Sequence, residues 1–208
     1  RNVSLNLNKG EKVLVISKNS RSINFFYDII SGSLKQTDGS FNWGITTSQS
    51  YLPLDNSEFF NKNINLVEWL REYANTEEER EEVYLRGFLG KMIFSGDEAL
   101  KKCNVLSGGE KVRCMISRMM MKKGNVLILD EPTNHLDMES KETLEEALIG
   151  YEGSLITVSH DRWFLDQVVN RIWEIDGGKI KVYYGNYTDY IRAKQGLPPL
   201  ADDEISQV

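Results

Sequence analysis

Apolar and polar residues alternate through Val3–Leu7 and gather in Val13–Ser17, which predicts two strands joined by the turn Lys9-Gly10-Glu11. Phe25, Phe26, Ile29 and Ile30 recur at helical spacing, so a helix is expected over Asn24–Ile30 with Gly32 as its C-cap. Short strands are expected at Ser40–Trp43 and Thr46–Tyr51, followed by a helix over Leu66–Tyr73 that carries Val67, Leu70 and Tyr73 on one stripe. Thr76 and Glu79 have the spacing of a capping box, and the acidic run Thr76–Glu82 predicts a solvated helix face leading into Val83, Leu85, Phe88 and Leu89. Residues 66–100 therefore look like a small helical insertion.

Beyond Ser107 the pattern alternates regularly. A helix over about Gly109–Lys122 places Val112, Met115, Ile116, Met119 and Met120 on one face, a Met-rich stripe that suits core packing. Then come a strand at Asn125–Leu129, a helix at Glu139–Leu148, a strand at Ser154–Val158 and a helix from Asp161. Two further strands, Ile172–Ile175 and Lys179–Tyr184, flank Gly177-Gly178. Near-continuous apolar strands alternating with helices predict an α/β class with a mostly parallel sheet covered on both faces. The end from Gly196-Leu197-Pro198-Pro199 onward reads as a flexible tail.

Composition narrows the function classes. The 208 residues suit one ordinary domain, and 40% apolar with 27% charged residues is the balance of a globular chain. No apolar run nears the ~20 residues of a membrane helix, and the start lacks the pattern of a secretory signal, so a cytoplasmic location is expected. With only Cys103 and Cys114, free thiols are expected rather than a disulfide. The net charge of −6 does not favour nucleic-acid binding by this segment itself.

The chemistry concentrates in three places. Val126–Leu129 ends in Asp130-Glu131, which puts two carboxylates at the carboxyl edge of a parallel sheet, where open α/β folds bind ligands. Such a pair suits Mg²⁺ and phosphate: one carboxylate holds the ion while the other orients or deprotonates a water. A strand-end turn explains the same pair equally well. Leu155–Val158 repeats the design and ends in Ser159-His160-Asp161, where His160 is placed to meet a phosphate oxygen or a water; a hydrogen-bonded strand-end histidine is the plainer alternative. Upstream, Ser107-Gly108-Gly109-Glu110 opens a helix whose first amides face an anion.

In this order and spacing the three resemble the motifs of an ABC-type ATPase. Leu106–Lys111 resembles the signature, Val126–Glu131 the Walker B strand with its catalytic Glu, Asn134–Asp137 the D-loop and Ser159-His160-Asp161 the H-switch. The wording Glu131-Pro132-Thr133-Asn134-His135-Leu136-Asp137 and the ending Tyr184–Tyr190 are similar to the ABC-F family, and the stretch Thr46–Phe60 to that family's second nucleotide-binding domain. The resemblance implies an ABC-type P-loop NTPase fold over residues 1–192, with an antiparallel β subdomain, a helical subdomain over about 60–105, and a tail over 193–208. It implies ATP and Mg²⁺ as ligands, with Asp130 on the metal, Glu131 and His160 catalytic, and Ser107, Gly108, Gly109, Glu110 and Asp137 at the nucleotide. Implied partners are a first ABC domain of the same protein, met head to tail, and the ribosome with its RNA, but no membrane. It also implies that this chain is a C-terminal fragment.

The phosphate loop departs from the pattern. G-x-x-x-x-G-K-[ST] needs glycines so that amides wrap the phosphates, a Lys for their charge and a hydroxyl for Mg²⁺. Aligned there are Ser17, Lys18, Asn19, Ser20, Arg21, Ser22, Ile23 and Asn24: the Lys becomes Ile23 and the hydroxyl residue Asn24. The chain has 16 glycines but none between Gly10 and Gly32. Each lost charge-assisted hydrogen bond costs about 1.5–3 kcal/mol, roughly 10- to 100-fold in affinity. Ser17, Asn19, Ser22 and Asn24 stay the loop's candidate nucleotide contacts, with Lys18 and Arg21 keeping positive charge nearby. Leu54 stands before Asp55, where the loop glutamine is expected, with Gln49 close by. The leading expectation is an ATPase domain with one degraded site; a non-catalytic lid for a twin domain and a transporter subunit are the alternatives.

Overall fold

A computed structural model describes residues 4–198. Its elements in chain order are β1 (Lys12–Ser17), α1 (Ser20–Ile30), β2 (Gln49–Leu52), α2 (Leu66–Arg71), α3 (Glu77–Arg80), α4 (Glu82–Lys91) and α5 (Gly108–Met121). After these come β3 (Val126–Asp130), α6 (Met138–Ile149), β4 (Ser154–Val158), α7 (Arg162–Val168), β5 (Arg171–Asp176), β6 (Lys179–Tyr184) and α8 (Tyr187–Lys194). The strands form one sheet in the order β2-β3-β4-β1-β5-β6. All neighbours are parallel except β5 and β6, whose antiparallel ladder turns through Gly177-Gly178, both at positive φ (56° and 75°). Two consecutive left-handed residues are what a tight hairpin turn requires, and glycine supplies them without strain.

The sheet is covered on both faces, as its apolar strands predict. One face and the helical segment share a single core: Trp69, Leu70, Leu85, Leu89 and Phe94 are buried in the same cluster as Met115 and Ile116 of α5 and Leu127 and Leu155 of the sheet. Trp69 stacks on Phe60 with centroids 4.8 Å apart and donates its indole N–H to the Phe59 carbonyl at 2.7 Å. The helical insertion is thus built into the main core. α3 buries no residue, and its Glu-rich turn is solvated as expected. Thr76 accepts from the Glu79 N–H at 3.2 Å, but the Glu79 carboxylate takes the Asn75 N–H at 2.8 Å, one residue before the cap, so the capping box is not closed. The opposite face packs Val13, Val15, Ile128, Ile156 and Trp173 under Tyr27 and Ile30 of α1.

Five expectations change. Residues 4–8 form no strand, although Leu5 and Leu7 lie on the second core as their alternation implies. The Asn6 carbonyl is taken by the Arg171 guanidinium at 3.0 Å, a side-chain tether in place of a ladder. Val3 lies outside the described residues. Ser40–Trp43 is also without a strand: Phe41 and Trp43 meet edge to face at 5.2 Å, and Trp43 donates to the Ile30 carbonyl at 3.2 Å. β2 starts at Gln49, not Thr46, because the chain turns just before it: the Thr47 N–H donates to the Gly44 carbonyl at 2.9 Å and the Thr46 carbonyl takes the Asn125 side chain at 2.8 Å. The helix expected from Asn24 begins at Ser20 instead, because Asn19 caps it, and Gly32 follows its end at φ 82° as the C-cap pattern requires. Of the tail expected over 193–208, Ala193 and Lys194 belong to α8, and residues 199–208 lie outside the described residues.

Cys103 and Cys114 are free and buried; Cys103 donates its S–H to the Lys62 carbonyl at 2.8 Å, and burial pushes the Cys114 thiol well up. No helix of the described residues is long and apolar enough to cross a membrane.

Candidate functional site

Parallel pairing brings the carboxyl ends of β1, β3 and β4 to one edge, with Ser17, Asp130 and Val158 as their last residues. Asp130 is half-buried there, and burial, then the neighbouring Glu131 charge, raises its carboxyl above the usual range. The buried Tyr27 donates its hydroxyl to the Leu129 carbonyl at 3.2 Å. Burial, then the Asp130 charge, pushes both the Tyr27 and Tyr51 hydroxyls up, so they stay neutral beside the carboxylate.

Glu131 leaves the strand with φ 47°, a left-handed conformation that costs a non-glycine residue of order 1 kcal/mol. Its N–H reaches the Val158 carbonyl at 2.9 Å, which ties the two strand exits together. Its carboxylate takes the backbone N–H of His160 at 3.3 Å and bonds the ring Nδ1 of the same residue. The Glu131 side chain is 12% exposed and that of His160 91%, so a shielded acid aims an open imidazole. Next to them Thr133 and Ser159 share a buried hydroxyl pair at 3.2 Å.

Ser107 and Glu110 form a reciprocal capping box at the start of α5, and Glu110 also pairs with Lys101 at 2.6 Å. Burial raises the Glu110 carboxyl, but Lys101 and Ser107 outweigh it and the net shift is downward. Glu110 therefore holds the helix start, and Ser107 and Gly108 are left exposed at its tip. Gly109 is buried against the next motif: a Cβ there would lie 2.9 Å from the His135 carbonyl oxygen. His135 itself has φ 64°, and Asp137 ends this loop by capping α6 through the Ser140 N–H at 2.9 Å. The structure thus joins Ser107–Gly109 and Asn134–His135 into one surface, with Asn134 and His135 exposed.

The aligned phosphate loop satisfies itself. Ser17 Oγ accepts the Asn19 N–H at 3.1 Å, Asn19 Oδ1 accepts the Arg21 N–H at 3.0 Å, and the Asn19 carbonyl accepts the Ser22 N–H at 2.9 Å. Three amides that a phosphate cradle would need are already spent. Ile23, at the lysine position, packs against the second core, and Asn24 is exposed on the helix. The loop thus offers a phosphate fewer free amides and no lysine at position 23. For Mg²⁺ the edge supplies Asp130 beside Glu131, and no cluster of three metal-ligating His, Cys, Asp or Glu occurs among the described residues. The two carboxylates are hard oxygen donors of the kind that Mg²⁺ takes.

Sequence reasoning missed Lys141, which bonds Asp161 at 2.5 Å across 20 residues, a separation no local pattern marks. It also missed the Asn19 cap, although an Asn before Ser-Arg-Ser is a legible helix start.

A family model described as ABC transporter matches residues 1–134. The chain is 47% identical over 191 residues to an uncharacterized ABC transporter ATP-binding protein, YkpA, of Bacillus subtilis, covering 91% of this chain and 35% of that one. It is 34% identical to ABC transporter F family member 5 of Arabidopsis thaliana, covering 92% and 27% of the two chains. It is 32% identical to the energy-dependent translational throttle protein EttA of Escherichia coli, covering 93% and 35%. The chain thus spans about a third or less of the length of these relatives. A solved dimeric ABC transporter cassette superposes with TM-score 0.69 at 20% identity, over 88% of this chain and 89% of that one, a likeness of fold.

Proposed function

Since the chain belongs to the ABC transporter family of ATP-binding domains, with ABC-F members among its relatives, we propose that it is one of two paired nucleotide-binding domains in an ABC-F protein that hydrolyses ATP and acts on the ribosome. The translational throttle among its relatives supports the ribosomal setting, in which the whole protein works in the cytoplasm and RNA contacts fall outside this acidic segment. The observation that carries the pairing is the contact of Gly109 with the His135 carbonyl, which presents Ser107, Gly108, Asn134 and His135 as one exposed surface. In the proposed pair this surface closes over a nucleotide held by the other domain, with the first-turn amides of α5 facing its phosphates. The solved cassette, which is dimeric, supports pairing.

On the domain's own side, Asp130 is assigned to Mg²⁺, Glu131 to the attacking water and His160 to the γ-phosphate. Positioning and charge stabilisation dominate phosphoryl transfer; Asp130 and Glu131 would position the ion and the water, and the ion and His160 would meet the phosphate charge. The self-capped Ser17–Ser22 loop weakens that side, so the two sites of the pair are unequal.

The same loop favours a second reading, in which this domain is a lid that never hydrolyses its own nucleotide. Glu131→Gln in the full-length protein separates the two: the hydrolysis reading expects slower turnover and a longer-lived closed pair, and unchanged values give the lid.

A further inference from the structure

The exit of β4 is stitched to the exit of β3 one residue at a time. Ser159 pairs with Thr133 at 3.2 Å, His160 with Glu131, and Asp161 with Lys141 at 2.5 Å. The first two links join strand ends. The third comes from the first turn of α6, the helix that Asp137 caps at the end of the Asn134–Asp137 loop. Resting on the reading of Glu131 and His160 given above, we propose that Lys141 is a positioning residue: its bridge to Asp161 fixes the backbone that carries His160 and couples the partner-facing loop to the Glu131–His160 pair.

A side chain as exposed as that of His160 cannot be aimed by packing. Its direction comes from one carboxylate and from its own backbone. That backbone is pinned at Asp161, which is held at four atoms: its N–H donates to Ser159 Oγ at 3.1 Å, its carbonyl accepts the Leu165 N–H at 3.0 Å, Oδ1 accepts the Phe164 N–H at 3.3 Å, and Oδ2 takes Lys141. The other bonds are local to the turn, so Lys141 is the tie from Asp161 itself to another element, as Thr133 and Glu131 are for Ser159 and His160 before it. α6 packs along α7, and the pair is partly shielded, with side chains 32% and 18% exposed. An ion pair of this kind works less through stability than through geometry. Glu142 and Glu145 stand in the same cluster, and burial, then the Asp161 charge, raises the Glu145 carboxyl. Lys141 is the cation among these acids, and removing it leaves Asp161 free to turn toward water.

The test is a double-mutant cycle in the full-length protein with Lys141→Met and Asp161→Asn, the latter keeping a side chain able to cap α7. Each single change is expected to lower kcat roughly tenfold with KM within about twofold, because a misplaced group costs rate more than binding. The double variant is expected to match the singles, and Lys141→Arg to keep most of the rate with an unchanged melting temperature. Additive losses, an unaffected kcat in Lys141→Met, or equal losses in Met and Arg with a lowered melting temperature would each overturn the proposal. Glu131→Gln run alongside separates the two claims: its failure to slow turnover refutes the hydrolysis reading alone. Amide exchange over residues 159–162 then decides the positioning claim, which expects faster exchange in Lys141→Met and is overturned by an unchanged rate.

Discussion

His160 gives the Glu131 carboxylate both its backbone N–H, at 3.3 Å, and its ring Nδ1, so one residue engages both carboxylate oxygens of the other. The contact joins two strand exits 29 residues apart and depends on the left-handed turn at Glu131. Strain of this sort persists only where the surroundings over-determine it. Here the fixing contacts are the Glu131 N–H to Val158 and the Thr133–Ser159 pair. Beside it, residues 17–24 contain no glycine and carry Ile23, and the asymmetry of the proposed function rests on that contrast.

Gly109 and Gly108 separate the packing of the signature from its exposed tip. A Cβ at Gly109 would meet the His135 carbonyl at 2.9 Å, whereas at Gly108 the nearest atom is His135 Cβ at 3.6 Å. Gly109→Ala is expected to cost about 1–3 kcal/mol in urea denaturation, and Gly108→Ala to stay within about 0.5 kcal/mol.

Asp130 is held at a cost. Its carboxyl is raised by burial and by Glu131, so the folded chain binds a proton more tightly there than the unfolded chain does. The penalty is fully present at neutral pH and is relieved as pH falls through the raised folded value. Asp130→Asn is therefore expected to raise the melting temperature at pH 7, with the gain shrinking toward acid pH, and a lowered melting temperature at pH 7 would contradict this account.

Glu174 anchors α8 and behaves oppositely. Burial pushes its carboxyl up, but hydrogen bonds from Lys194 at 2.9 Å, Tyr190 at 3.0 Å and Tyr183 at 3.1 Å outweigh that, and the net shift is downward. The stability it confers is present above the unfolded value and is lost as pH falls through the folded one. Glu174→Gln is expected to cost about 1–3 kcal/mol at pH 7, and the denaturation midpoints of the two chains should converge in acid.

Much of this was legible from patterning. Four apolar residues running into Asp130-Glu131, and again into Ser159-His160, mark buried parallel strands and their carboxyl edge, and the sheet order brings those edges together. Two of the expected strands misled because alternation reports one buried face and nothing more: Leu5, Leu7, Phe41 and Trp43 are partly buried against the second core, yet among the described residues no neighbouring strand offers their backbone a ladder. The phosphate-loop pattern marks Asn19 as a ligand contact, but a short polar side chain ahead of a helix competes for the same amides. The long-range links were invisible, since nothing local in Lys141 or Asp166 announces its partner: the Asp166 carboxylate takes the Thr188 N–H at 2.6 Å and its hydroxyl at 2.9 Å, fastening α8 to α7.

The central claim is that the Ser17–Asn24 loop is closed by its own side chains. Isothermal titration of Mg-ATP into this chain and into the variant Ser17→Gly/Ser20→Gly/Ser22→Gly/Ile23→Lys/Asn24→Ser tests it most directly. The restored loop is expected to bind at least roughly tenfold more tightly than the natural one, the effect of about one recovered charge-assisted contact. A sub-micromolar dissociation constant for the natural chain, left unimproved by the restoration, would contradict the account.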